Sequence, residues 1–164
     1  MDVNDKKKSL IESAQTTRAK ILTVIESATD EQLQTKVSSH AEAWTILEVV
    51  KHLYVSEDGM VKLMQNIKNN IDPNTIPGVP LDFDRDRYNK RQVQKLEELN
   101  KKDILEKLNE SRNNLVKFVK TLSTEDFPKK GRHASLKVLS IEDIIKVIPA
   151  HELEHFEKIE KALK

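Results

Sequence analysis

Four long segments of the chain carry apolar residues at helical spacing, and histidines interrupt the apolar stripes of two of them. The stripes span about residues 6–28, 45–70, 102–122 and 141–162. Apolar side chains three and four residues apart lie on one face of a helix, so each segment predicts an amphipathic helix. Only 4% of the residues are aromatic and three are glycine, which also favours helices over a β-sandwich. The sequence therefore predicts a single all-α domain over residues 1–164, a four-helix bundle with no sheet.

The segment between the second and third predicted helices is too long for a tight helical hairpin. Residues 71–100 begin with three prolines, which exclude a helix there, and continue with a run from Leu81 to Arg91 that favours a short helix. About thirty residues suffice to cross the length of a bundle. We therefore expect a long crossover, with the second and third helices running parallel.

Capping signals mark the starts of the second and last helices. Thr45 with Glu48, and Ser140 with Asp143, have the spacing of a capping box. Pro149 lies inside the last helix, where it predicts a kink.

Composition argues against several classes of function. The 28 basic and 27 acidic residues nearly cancel, which predicts no broad attraction to nucleic acid or to an anionic membrane. The chain has no cysteine, so it offers neither a disulfide nor a thiolate ligand of its own. Its N-terminus leads into no apolar run, and no segment approaches membrane-spanning length. We expect a cytoplasmic protein whose partner is a small-molecule substrate.

Three histidines on the apolar stripes together predict a metal site. His151 and His155 are four residues apart, so they stack on one helical face about 6 Å apart. His52 lies on the stripe of the second helix. One buried imidazole is most often a hydrogen-bonded core residue, but three on converging stripes are better explained by a shared metal ion. His40 and His133 fall in loops and are interpreted as ordinary polar residues.

The last two histidines also fit the pattern H-E-x-x-H, in which Glu152 would be the general base of a zinc protease. Such a site needs a third ligand downstream, and the residues after His155 include no histidine. His52 is the better third ligand, so we predict the metal ligands His52, His151 and His155 and do not expect a protease.

Two strings of the sequence resemble the DinB-like superfamily, the group that includes the YfiT-like proteins. The run from Trp44 to Leu53 is similar to its W-S-x-x-E-x-x-x-H-L opening of the second helix. The run from His151 to Ile159 resembles its closing H-x-x-x-H-x-x-x-I. The chain departs from the family at Pro149, and at Glu157 and the residues after it, where the family often has Gln.

The resemblance implies more than the residues show by themselves. It implies a four-helix bundle with a long crossover, often a homodimer, and one divalent metal ion, commonly zinc or nickel, on His52, His151 and His155. It also implies a family of thiol-dependent transferases and isomerases. These use bacillithiol, mycothiol or glutathione, whose thiolate is thought to bind the metal. Many other members have no known reaction.

The chemistry beyond the three ligands stays open at this stage. Three neutral imidazoles would leave open positions on a metal, where water or a thiol could ionise. Glu48 lies one turn before His52, and Ser56 lies one turn after it. Either residue would orient an imidazole ring or a bound ligand. The alternative is that Glu48 only caps the helix and Ser56 is only a small packing residue. Arg85, Arg87 and Arg91 on the crossover would bind an anion or form a solvated surface.

Three hypotheses for function follow. The leading one is a metal-dependent transferase that uses a low-molecular-weight thiol, first of all bacillithiol, or a hydrolase that uses water. The second is a non-catalytic metal-binding stress or interaction protein. The third is a plain helical bundle with structural histidines.

Overall fold

The part of the chain that the structure describes contains four long helices, two short helices and a small hairpin. This computed structural model describes residues 2–40 and 42–164, and Met1 and Ala41 lie outside it. Ala41 belongs to the polar segment 36–42, which the sequence predicts to be a loop. In chain order the elements are α1 (Val3–Ser27), α2 (Asp30–Leu33), α3 (Ile46–Asn69), α4 (Arg85–Gln94), α5 (Lys101–Lys120), β1 (Lys130–Arg132), β2 (Val138–Ser140) and α6 (Ile141–Ala162).

The long helices form a bundle in which α1 is parallel to α6 and α3 is parallel to α5. One apolar cluster joins the N-terminal halves of α1 and α6 with the C-terminal halves of α3 and α5. A second cluster joins the opposite halves of the same helices. Each of α1 and α3 packs against both α5 and α6. The predicted four-helix bundle is confirmed. The second and third long helices, α3 and α5, run parallel, as the long crossover between them predicts.

A layer of buried charge separates the two apolar clusters. Each long helix contributes one residue, and these are Arg18 of α1, Glu57 of α3, Arg112 of α5 and Glu152 of α6. All four are almost fully buried. The bundle is therefore apolar at both ends and ionic in the middle.

The prediction that the chain has no sheet is wrong. β1 and β2 pair antiparallel, with Lys130 opposite Ser140. A strand of three residues is too short to show the alternating pattern by which strands are recognised. The hairpin also pairs with the crossover, because the Arg132 N–H donates to the Pro77 carbonyl over 2.8 Å and the Val79 N–H donates to the Arg132 carbonyl over 3.1 Å.

Gly78 makes this close pairing possible. Its φ of +129° lies in a region that L side chains rarely adopt, and a Cβ there would overlap the backbone of Arg132. The hairpin and the crossover are thus held together beside the C-terminal half of α3.

The crossover contains the predicted short helix as α4, which Val93 anchors in the bundle at 4% exposure. The capping boxes predicted for the second and last helices are both present, at Thr45 and at Ser140. α6 continues through Pro149 to Ala162. No helix among the described residues is both long and apolar enough to span a bilayer.

Candidate metal centre

The three predicted histidines meet between α3 and α6. His52 lies on α3, two turns after its capping box, and His151 and His155 lie one turn apart on α6. Nε2 of His151 lies 3.1 Å from Nε2 of His52 and 3.1 Å from Nε2 of His155. One potential ligand atom from each ring falls within 4.8 Å of the others. His40, predicted to be an ordinary loop residue, is exposed and takes no part in the cluster.

Burial makes all three imidazoles neutral at ordinary pH. Burial, followed by the charges of His151 and His155, lowers the pKa of His52 to about 3. Burial likewise lowers the pKa of His155 to about 4. It also lowers the pKa of His151, against the opposing effect of Glu154 and Glu152. Neutral rings have lone pairs to offer a cation.

The geometry of the cluster fits a metal ion better than a set of hydrogen bonds. Zinc–nitrogen bonds of 2.0–2.1 Å in tetrahedral coordination place ligand nitrogens roughly 3.3 Å apart, close to the two observed separations of 3.1 Å. Without a metal, Nε2 of His151 either carries one proton or offers one lone pair, so it cannot form a full hydrogen bond with both neighbours. The donor set therefore suits a divalent ion with open coordination positions.

Residues around the triad hold and cover the rings. The Trp44 ring packs on His52, with ring centroids 5.0 Å apart. Ser56 Oγ lies 3.3 Å from Nδ1 of His52, so it contacts the edge of that ring and can orient it. Glu48 acts as a helix cap, because its carboxylate accepts the Thr45 N–H over 2.8 Å at the start of α3. Nδ1 of His155 is buried and has no hydrogen-bond partner among the described residues.

Glu152 is not available as a general base. Its carboxylate accepts from Arg18 Nε over 2.5 Å and from Arg112 Nη2 over 3.0 Å. Thr17 donates to the same group over 2.6 Å. Burial alone would raise the pKa of Glu152, but the two arginines lower it, so the group is ionised and bound. The expectation that H-E-x-x-H does not mark a protease here agrees with this arrangement.

The triad forms one end of a cavity of about 600 Å³ between α3, α4, α6 and the hairpin. Its apolar wall comprises Val55, Met60, Leu63, Val79, Phe83 and Val147. Arg85, Tyr88 and Asn89 of α4 also line the cavity. A volume of this size suits a small organic ligand in contact with the histidines.

The sequence did not reveal one residue of this cavity, and it left the roles of three crossover arginines open. His133, interpreted as an ordinary loop residue, lines the cavity because the hairpin places it there. Of the three crossover arginines, Arg85 lines the cavity, whereas Arg87 and Arg91 are exposed and do not. The position of His133 depends on strand pairing, and no sequence signal could have revealed it.

Comparison with known proteins settles the family. The DinB superfamily matches the sequence over residues 13–159. The chain belongs to the DinB superfamily. No curated protein matches this DinB chain in sequence.

Solved structures similar to this DinB protein share its fold. YfiT from Bacillus subtilis, described as a probable metal-dependent hydrolase with an unusual four-helix bundle topology, is 20% identical with a TM-score of 0.72. The match covers 95% of this chain and 85% of YfiT. A mycothiol-dependent maleylpyruvate isomerase is 9% identical with a TM-score of 0.73. That match covers 97% of this chain but only 61% of the isomerase.

A third similar structure widens the range of ligands in this fold. The colibactin self-resistance protein ClbS, in a complex with double-stranded DNA, is 15% identical with a TM-score of 0.70. The match covers 96% of this chain and 95% of ClbS. At these identities the likenesses show the fold, the DinB/YfiT-like four-helix bundle, and leave the reaction open.

Proposed function

We propose that this DinB protein is a metal-dependent enzyme that transfers a low-molecular-weight thiol to an electrophilic substrate. The observation that carries the proposal is the convergence of His52, His151 and His155, as neutral rings, at the end of a cavity of about 600 Å³. A closed structural metal site would need a fourth protein ligand. The described residues supply three histidines and a space where a ligand would complete the coordination.

The residues of the cavity indicate what a bound metal ion and the chain would each contribute to the reaction. A bound divalent ion, with zinc and nickel the candidates, would supply a positive charge that favours the thiolate form of a bound thiol. The chain has no cysteine, so the thiol must come from a small molecule. Trp44 packs on His52, the apolar wall would lie against the substrate, and Ser56 Oγ offers a hydrogen bond beside the ring of His52. In the transfer, the sulfur forms a bond to carbon, the leaving group departs with its electron pair, and the thiol proton passes to solvent or to the leaving group.

Similar structures support this class of reaction without fixing it. The isomerase is described as mycothiol-dependent, and YfiT as a probable metal-dependent hydrolase. The first alternative hypothesis is a hydrolase that uses water in place of the thiol. The non-catalytic metal-binding reading is the second. The predicted absence of nucleic-acid binding stays a prediction, and the DNA complex of ClbS gives it no support.

Thiol-dependent turnover tests the proposal. Protein purified without a nickel column is loaded with zinc or nickel, then mixed with a model electrophile and bacillithiol, glutathione, cysteine or coenzyme A in turn. We expect a rate with one thiol that disappears with a chelator and in His52→Ala but persists in His40→Ala. Metal binding without any thiol-dependent rate would favour a hydrolase if ester substrates turn over, and the non-catalytic reading if they do not.

A further inference from the structure

The cavity has a second polar feature, on α4, that the proposed reaction does not use. α4 presents Arg85, Tyr88 and Asn89 to the cavity at positions i, i+3 and i+4, so they share one helical face. His52 is buried at 6% exposure and His151 and His155 are half-buried, whereas the Arg85 side chain is 56% exposed. Arg85 therefore lies at the solvent rim and His52 at the floor.

Arg85 is the least neutralised cation of this cavity. Its ion pair is with Asp86, the next residue, at a long 3.6 Å from Nε. Asp86 also lines the cavity, but its side chain is 90% exposed, and the two remaining charged residues of the lining have closer partners elsewhere. Lys62 binds Asp58 over 2.6 Å, and Glu154 accepts from Lys158 over 2.6 Å. The planar guanidinium of Arg85 is free to bind a carboxylate through its two terminal nitrogens.

His133 offers a hydrogen-bond donor to the same ligand. Its Nδ1 accepts the backbone N–H of Ser135 over 3.1 Å and lies 3.0 Å from the Ser135 hydroxyl. In the neutral ring the proton is then on Nε2, which has no partner among the residues described. Burial, together with the charge of Arg85, lowers the pKa of His133 and favours this neutral form.

We propose that Arg85 and His133 form a carboxylate subsite at the rim of the cavity, so that the ligand of this protein is a small organic acid. Its apolar body would lie against the wall formed by Val55, Leu63 and Phe83, with its reactive end toward the histidines. The identity of that reactive end rests on the proposed function, but the subsite itself is built from residues outside the triad.

The test uses the metal-free full chain, so it does not depend on the proposed reaction. Hexanoate and hexan-1-ol are matched in length and differ in charge. Their affinities are measured from backbone amide shifts, and shifts at Gly59, Gly78 and Ala134 would place the probe in the cavity. We expect hexanoate to bind about fivefold more tightly than the alcohol, the effect of one partly exposed ion pair.

Two arginine variants decide the assignment. Arg85→Gln should abolish the preference for hexanoate, while Arg91→Gln, on the same helix but outside the cavity, should retain it. His133→Ala should reduce the preference. Equal preference in the wild type and Arg85→Gln, no preference in the wild type, or no shift at the three cavity amides would each overturn the subsite. A carboxylate preference in a protein that shows no thiol-dependent rate would refute the proposed function and leave the subsite standing.

Discussion

The buried charge layer predicts a large loss of stability from a substitution that changes almost no volume. Glu57 accepts from Arg18 Nη2 over 2.6 Å and from Arg112 Nη2 over 2.7 Å, and its side chain is 2% exposed. Glu57→Gln keeps the shape of the side chain but leaves two buried guanidinium groups to share the single carboxylate of Glu152. Breaking a buried ion pair from one side costs about 3–5 kcal/mol because the remaining charge is uncompensated.

This loss is a large part of the stability of an ordinary domain, roughly 5–15 kcal/mol. At about 2–4 °C per kcal/mol for a chain of this size, the melting temperature should fall by roughly 6–20 °C. The assay is urea denaturation followed by far-ultraviolet circular dichroism, with thermal melting as a second measurement.

Asp58→Asn is the matched control. It lies one position later on the same helix and removes an exposed ion pair, in which the Asp58 and Lys62 side chains are 33% and 69% exposed. We expect a change below about 1 kcal/mol. If Glu57→Gln were also within about 1 kcal/mol of the wild type, the reasoning about the buried layer would be refuted.

A double-mutant cycle isolates the interaction within this layer. Arg18→Met removes one of the two cations that Glu57 binds. Combined with Glu57→Gln, Arg18→Met leaves one buried cation and one buried carboxylate, so the buried charges balance again. The double variant should therefore lose less unfolding free energy than the two single variants lose in sum. Strict additivity would show that the two residues do not act together.

The remaining predictions concern pH, backbone and assembly. Burial would raise the pKa of Asp126, but hydrogen bonds from Lys129 and a backbone N–H lower it from 3.8 to about 2. Its contribution to stability should therefore be complete above pH 3.8 and lost as the pH falls toward 2, and acid denaturation of Asp126→Asn should lack this component. Gly78→Ala should cost at least about 1–3 kcal/mol in urea denaturation, because φ is positive and because the added Cβ would overlap the backbone of Arg132. Gly59→Ala lies within α3 and its added Cβ meets open space, so it should be neutral or stabilising. We also predict a homodimer at micromolar concentration, and light scattering that gives the mass of one chain would contradict it.

The bundle and the triad were predictable because helical periodicity places distant residues on known faces. His52, His151 and His155 interrupt apolar stripes, and two stripes that face one core must bring their polar members together. Residues of the buried charge layer interrupt apolar stripes in the same way, although no prediction was drawn from them. Arg18 stands between Ala14 and Ile21 on the stripe of α1, and Glu57 holds the corresponding place on α3.

The rim of the cavity was not predictable because it depends on contacts without a periodic signal. His133 reaches the cavity through a hairpin of two three-residue strands and its pairing with Pro77 and Val79. Arg85 differs from Arg87 and Arg91 only in the face of α4 that the packing of the crossover turns toward the cavity. Both depend on tertiary packing, which the local sequence does not encode.

Metal content shows whether His52, His151 and His155 hold a metal ion. The wild type, His151→Ala and His40→Ala are purified without a nickel column, incubated with zinc and dialysed, and bound metal is measured by inductively coupled plasma mass spectrometry, with circular dichroism to verify folding. We expect one ion per chain in the wild type and in His40→Ala, and none held tightly by His151→Ala. Equal metal in the two variants, or none in the wild type, would contradict it.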